Sequence, residues 1–174
     1  MALQMILCLE TNKRSNTDGI YISDTINHFY NKVNDIKISW IYMNTKTKYN
    51  AKDVCKQIKE KRDSYAHGET RVIYCVDTDD YEINTEHSMA LNNIEQYCIQ
   101  NGYDLVWFCH DVEEVYWGHR VVDDVKVKEA AKFRSTKKIE YQDIMNLSQK
   151  IKRKNASNIM LVLDKYLDRK SPES

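Results

Sequence analysis

The 174-residue sequence contains only one proline and four glycines, and it has no excess of either charge. Its 26 basic residues balance 26 acidic ones, so non-specific binding to nucleic acid would need a local basic patch. The scarcity of proline and glycine predicts a chain dense in regular secondary structure. With 42% hydrophobic residues, a chain of this length is expected to form one compact domain.

Long apolar runs and paired cysteines are also missing. No run approaches the roughly 20 apolar residues of a membrane helix, and the first residues lack the pattern of a signal peptide. We therefore expect a soluble, cytoplasmic protein with no membrane partner. The cysteines are widely spaced among apolar residues, which favours reduced core thiols over a zinc site shared with His110 or His119. They are Cys8, Cys55, Cys75, Cys98 and Cys109.

Apolar runs alternate with segments of helical periodicity. Four runs rich in β-branched and aromatic residues predict strands over 4–9, 36–43, 71–76 and 103–109. Helices are predicted between them: one that opens near Thr17 or Asp18 as caps, and two over 51–65 and 85–100. Beyond the fourth strand the pattern is helical throughout, over 112–117, 127–133, 141–151 and 158–167.

This order predicts an α/β protein with a mainly parallel, four-stranded sheet flanked by helices. Residues 1–120 would form that domain, and residues 121–174 a helical C-terminal extension packed on it. The apolar run 159–163 is expected to dock on the sheet. A second copy of the chain is the other surface it would fit, which leaves a homo-oligomer open.

Acidic residues stand where three of the predicted strands end. Glu10 follows the first strand, Asp77 and Asp79 follow the third, and Glu113 and Glu114 lie just past the fourth. A parallel sheet brings these ends to one edge, where carboxylates without a cationic partner repel one another unless a cation neutralises them. Oxygen ligands suit Mg²⁺ or Mn²⁺, which support phosphodiester chemistry. The competing interpretation is that the acids cap the following helices.

Three further candidate residues lie close to these acids in the sequence. His110 is placed to donate a hydrogen bond to a substrate phosphate or to act as a general acid, although a hydrogen-bonded surface histidine is the simpler interpretation. Lys13 and Arg14 follow Glu10 and are candidates for contacting the phosphate backbone of a nucleic acid, or else are solvated loop charges.

The sequences Ile6-Leu7-Cys8-Leu9-Glu10, Val76-Asp77-Thr78-Asp79-Asp80 and Cys109-His110-Asp111-Val112-Glu113-Glu114 together resemble the Toprim domain. More closely, they are similar to the small RloB-like, abortive-infection Toprim proteins of bacterial defence islands, over roughly the first two-thirds of the chain. The chain departs from the family where Thr11 replaces the glycine of the usual Glu-Gly, and where Cys109-His110-Asp111 replaces Ser-Asn-Pro.

The resemblance implies a Toprim-like, Rossmann-like fold and a Mg²⁺-dependent nuclease that cleaves DNA or RNA in anti-phage defence, alongside a partner ATPase. By position, Glu10 would be a general acid/base or a metal-organising carboxylate, and Asp77 and Asp79 would hold Mg²⁺ or Mn²⁺. Glu114, with Glu113 as its neighbour, would complete the acidic set as a catalytic residue.

Two other functions compete with the nuclease. A catalytically silent Toprim-like module would bind a partner protein through its C-terminal helices. A receiver-like phospho-acceptor fits less well, because that class needs an acid pair after the first strand and a lysine after a fifth strand. The presence of Glu10, Asp77 and Asp79 together favours the enzyme.

Overall fold

A computed structural model describes residues 2–31, 35–66 and 68–171. Within these residues the chain is an α/β protein whose five-stranded, mostly parallel sheet has the order β2-β1-β3-β4-β5. The strands are β1 (Ala2–Leu9), β2 (Ile36–Tyr42), β3 (Gly68–Asp77), β4 (Asp104–Cys109) and β5 (Ala156–Ser157). The helices are α1 (Thr17–Phe29), α2 (Lys52–Asp63), α3 (Thr85–Asn101), α4 (Val112–Trp117), α5 (Lys126–Ser135), α6 (Ile144–Leu147) and α7 (Ile159–Leu163).

The first four strands run parallel, and their register aligns their carboxyl ends. Leu9 at the end of β1 pairs with Tyr42 of β2 and with Cys75 of β3, and Asp77 pairs with Phe108 of β4. Loops that leave these strands therefore start at one edge of the sheet. This edge is where open parallel sheets place their ligand sites.

Alternation along the strands separates two hydrophobic layers. Met5, Leu7 and Leu9 of β1 belong to a layer that also contains side chains of α1, α4, α5 and α7. Ile6 and Cys8 face the opposite layer, which contains side chains of α2 and α3. Because successive side chains of a strand point to opposite faces, the continuous apolar run of β1 is explained by burial on both sides.

The prediction of a mostly parallel sheet flanked by helices is confirmed, and a fifth strand adds to the four predicted. The two residues of β5 pair antiparallel with Phe108 and Cys109. Next to β5, the Asn158 side chain accepts a hydrogen bond from the Trp107 N–H (2.9 Å) and donates one to the Leu105 carbonyl (2.9 Å). These bonds pair backbone groups at the edge of β4 that would otherwise lack a partner strand. The periodicity of the sequence does not predict this role of Asn158.

The C-terminal segment is less helical than predicted. The predicted helix over 141–151 is replaced by a 3-10 turn, Lys138–Tyr141, and the single turn α6, while α7 is shorter than the predicted 158–167. Apolar spacing does not distinguish a continuous helix from consecutive short turns that bury the same side chains.

Both ends of this segment pack on the rest of the fold. Phe133 of α5 is fully buried, with its ring centroid 4.9 Å from that of Tyr21 in α1. Ile159, Met160 and Leu163 of α7 are buried in the same layer, so the apolar run docks on the chain's own sheet. Among the described residues, no helix has the length and hydropathy needed to cross a membrane.

Candidate functional site

Charged residues from four segments of the chain surround a cavity of about 560 Å³ at the carboxyl edge of the sheet, here called the acidic pocket. Glu10 follows β1, Asp18 lies in the first turn of α1, and Asp77 ends β3. Asp123 precedes α5, and Lys126 is the first residue of α5. The charged residues that line the pocket are Glu10, Asp18, Asp77, Asp123 and Lys126.

Backbone hydrogen bonds hold two of the predicted site residues together. The Asp77 N–H donates to Glu10 Oε2 (3.1 Å), and the Val112 N–H donates to Asp77 Oδ1 (3.0 Å). These bonds connect the ends of β1 and β3 with the start of α4. Glu10 and Asp77 therefore meet as the sequence predicted, in positions fixed by the backbone.

Asp18 is a pocket residue that the sequence analysis treated only as a helix cap. The N-cap position is Asn16, and no side chain caps that helix end, so the prediction of Thr17 or Asp18 as the cap is wrong. Asp18 instead accepts hydrogen bonds from the Thr11 N–H and the Thr17 hydroxyl, both at 3.2 Å. The chain reverses direction after β1, which brings Asp18 to the Thr11 N–H. The sequence analysis above did not predict this contact.

Glu113 and Glu114 point to different surroundings, because consecutive residues of a helix lie about 100° apart. Glu113 is 1% exposed, and its Oε2 lies 3.2 Å from Lys126 Nζ. Its Oε1 is buried without a hydrogen-bond partner among the described residues. Glu114 turns away toward His110 Nδ1 (3.3 Å) and Lys154 Nζ (4.0 Å). Glu113 thus contacts Lys126 of the acidic pocket, whereas Glu114 does not.

Two lysines that the sequence analysis did not single out reach these carboxyl groups. Lys46 is buried in the 3-10 turn Lys46–Lys48, where it donates to the Asp77 carbonyl (2.8 Å) and pairs with Asp79. Lys126 lies 3.2 Å from Glu113 and 3.5 Å from Asp111. The two ammonium groups therefore partly neutralise the carboxylates nearest to them.

Four acids nevertheless have raised pKa values, with burial as the largest cause. The pKa of Asp18 rises to about 7, through burial and the charges of Glu113 and Glu10. Burial and the charge of Glu10 raise the pKa of Asp77 well above its usual value. Burial also raises the pKa values of Glu10 and Glu113, although Lys46 and Lys126 respectively oppose it. The lysines thus do not fully offset the cost of ionising these buried carboxyl groups.

The other predicted site residues lie apart from this group. Asp79 is held by Lys46, and His110 lies between Glu114 and Glu82, 3.2 Å from the latter. Burial lowers the pKa of His110, but its contacts with Glu114 and Glu82 outweigh that effect and raise it overall. Lys13 and Arg14 are exposed in the loop after Glu10, whose Asn12 and Ser15 line the acidic pocket.

The described residues contain one group of three side chains whose ligand atoms lie within 4.8 Å of one another, Glu82, Cys109 and His110. The predicted metal set of Glu10, Asp77 and Asp79 is not such a group, and Asp79 pairs with Lys46. Asp18 and Glu113 add their charges to those of Glu10 and Asp77, but among the described residues no three of these acids have ligand atoms within 4.8 Å of one another either.

The fold and the site together define an α/β protein, compatible with a Rossmann-like fold, that has an acidic pocket at the carboxyl edge of its sheet. Comparison with protein-family models, curated proteins and solved structures finds no match for the chain.

Proposed function

We propose that the chain is a divalent-metal-dependent nuclease whose cation site is the acidic pocket. The observation that carries the proposal is the excess of buried carboxyl groups, of which Glu10, Asp18, Asp77 and Glu113 all have raised pKa values. Buried carboxyl groups with raised pKa values that share a cleft are typical of functional sites. A hard divalent cation with oxygen ligands would neutralise their charge.

Two of the residues present, Glu10 and Asp77, suit such a cation, because Mg²⁺ usually binds through one or two carboxylates and keeps several waters. Asp77 and Glu10 come from strand ends and are fixed by backbone hydrogen bonds, so their oxygens are pre-positioned. Glu113, whose Oε1 is buried without a hydrogen-bond partner among the described residues, contacts the pocket residue Lys126 and adds negative charge to the site. Mg²⁺ or Mn²⁺ bound there would polarise a phosphoryl oxygen and lower the pKa of a bound water.

Other side chains would act on the substrate. Lys126 is 24% exposed at the pocket wall, where its ammonium group is placed to attract a phosphate. Lys13 and Arg14 extend from the adjacent loop into solvent, as contacts to a nucleic-acid backbone require. In this proposal Asp79 and Lys46 position the loop after β3, and Glu10 is the acid/base candidate.

The Toprim resemblance supplies the substrate class and the setting. It predicts cleavage of DNA or RNA in bacterial anti-phage defence, in the cytoplasm and with an ATPase as partner. The lined-up strand ends and the Glu10–Asp77 contact agree with that resemblance. The position of Glu113 changes one detail, because it replaces Glu114 as the third acid of the proposed site.

Calorimetric titration with Mg²⁺ and Mn²⁺, followed by cleavage assays on single- and double-stranded DNA and RNA, tests this function. We expect wild-type protein to bind a divalent cation and cleave, and Asp77→Asn to lose both. Asp53→Asn is the matched control, because Asp53 is exposed in the first turn of α2, away from the pocket. Binding that is equal in wild type and Asp77→Asn would refute the proposed site.

A catalytically silent module is the second candidate, and one feature of the C-terminal segment favours it. Three apolar side chains within residues 141–151 are exposed, Tyr141 by 78%, Met145 by 67% and Ile151 by 79%. In this second proposal they would contact a partner protein. Wild-type protein that binds no divalent cation, even with nucleic acid present, would favour this function.

A further inference from the structure

We propose that Glu82, Cys109 and His110 form a second cation site, which takes one zinc-class transition-metal ion. The ligands would be one carboxylate oxygen, one thiolate sulfur and one imidazole nitrogen, whose atoms all lie within 4.8 Å of one another. None of the three side chains lines the acidic pocket. The inference therefore stands apart from the proposed nuclease function.

The spacing of the ligand atoms fits a metal ion. His110 Nε2 lies 3.2 Å from each carboxylate oxygen of Glu82. Tetrahedral zinc with bonds of about 2.0 Å places its nitrogen and oxygen ligands about 3.3 Å apart. A simple hydrogen bond has a similar length, so the thiol is the distinguishing feature. Cys109 is fully buried at the end of β4, and its sulfur lies within 4.8 Å of a ligand atom of Glu82 and of His110.

The wide spacing of the cysteines along the sequence favours core thiols over a metal site. Cys109 is the last residue of β4, and His110 already lies outside the strand. Successive side chains of a strand point to opposite faces, but this rule does not apply to Cys109 and His110 because His110 is outside the strand. Glu82 then arrives from the loop before α3, 28 residues from His110, at a separation that no metal-binding motif predicts.

The second carboxylate that contacts His110 suits a metal ligand. The buried carboxylate of Glu114 lies 3.3 Å from His110 Nδ1, on the side of the ring opposite Glu82. Histidines that bind a metal through one ring nitrogen usually donate the other N–H to a carboxylate, which fixes the tautomer and the ring orientation. Glu114 thus orients the imidazole so that Nε2 is directed toward Glu82.

The mixed ligand set indicates which ions would bind. Sulfur and imidazole ligands favour zinc-class ions, whereas Mg²⁺ and Ca²⁺ prefer oxygen ligands alone. The side chains of Glu82 and His110 are 42% and 26% exposed, so the site is open to solvent on one side. Three protein ligands leave a fourth tetrahedral position, which water or an external ligand would fill.

Titration with Co²⁺ tests this site, because a cobalt–thiolate bond produces a charge-transfer absorption band that oxygen-only sites lack. The protein should be free of affinity tags, reduced and treated with a chelator beforehand. We expect one thiolate-bound Co²⁺ per chain in the wild type, counted from the intensity of this band, and its release by added Zn²⁺. The band should disappear in Cys109→Ser, and Glu82→Gln should weaken Co²⁺ binding by at least about tenfold.

Two control variants should keep the band. Cys55→Ser removes an exposed cysteine elsewhere, and Asp77→Asn removes a carboxylate of the acidic pocket. Circular dichroism checks folding. If Cys109→Ser unfolds, His110→Ala at a partly exposed position should abolish binding in its place. Absence of the band in wild type, or a band that survives both Cys109→Ser and His110→Ala, would overturn the proposal. Mg²⁺ gives no such band, so this outcome is independent of the nuclease test.

Discussion

Asp18 offers the sharpest test of how the acidic pocket affects stability. Burial and the charges of Glu113 and Glu10 raise its pKa from 3.8 to about 7. Between these values the folded chain holds a proton that the unfolded chain has released. Stability therefore falls as the pH rises through this window, and the whole loss is present above pH 7. A shift of about three pKa units corresponds to roughly 4 kcal/mol.

The substitution Asp18→Asn removes the charge and keeps the shape of the side chain. One of two accepted hydrogen bonds, from the Thr11 N–H or the Thr17 hydroxyl, is expected to weaken, at roughly 1 kcal/mol. The net gain in the free energy of unfolding should be about 3 kcal/mol near pH 8. Near pH 5 it should largely vanish, because there Asp18 is mostly protonated in the folded chain and the shift costs only about 1–2 kcal/mol.

Urea denaturation near pH 5 and pH 8, with a chelator and then with Mg²⁺, measures these quantities. Added Mg²⁺ should stabilise wild type more than Asp18→Asn, because the variant lacks one of the carboxylates that attract the cation. Asp53→Asn, at an exposed position, should show neither effect. The reasoning would be refuted if Asp18→Asn were no more stable than wild type near pH 8 in chelator, or if its gain were the same at both pH values.

Three further substitutions test how the pocket and the C-terminal segment are held. Lys126→Met leaves Glu113 without its ammonium partner and should lower the free energy of unfolding by about 2 kcal/mol in chelator, and an unchanged urea midpoint would contradict this. Phe133→Ala removes a fully buried ring and should lower the free energy of unfolding by about 3–5 kcal/mol in one cooperative transition. A separate early transition of α5 would show that this helix is not part of the core. Tyr116→Phe removes the hydroxyl 2.5 Å from Thr25 Oγ1 and should lower the thermal midpoint by the equivalent of about 1 kcal/mol, whereas no shift would mean that the bond contributes nothing net.

The strand ends were predictable because local sequence determines them. The apolar runs of β1 and β3 end in the acids Glu10 and Asp77, and parallel pairing brings such ends together. The contact between these two acids follows from that topology alone. Short-range pattern was sufficient for this half of the site.

The rest of the site depends on contacts between distant segments. Lys126 reaches Glu113 only because α5 folds back over α1, and Lys46 reaches Asp79 from a 3-10 turn after β2. The choice of Glu113 over Glu114 depends on the rotation of α4, which a one-residue shift would reverse. Such contacts are set by packing and leave no periodic trace in the sequence.

The central claim is that the acidic pocket binds a divalent cation. Anomalous diffraction from crystals soaked in Mn²⁺ tests it most directly, because the ion's position is read without reference to activity. The account predicts a manganese peak in contact with the carboxylates of Glu10 and Asp77, and loss of that peak in Asp77→Asn crystals. A pocket that stays empty, with Lys126 against Glu113 and manganese absent or bound only at other positions, would contradict the account.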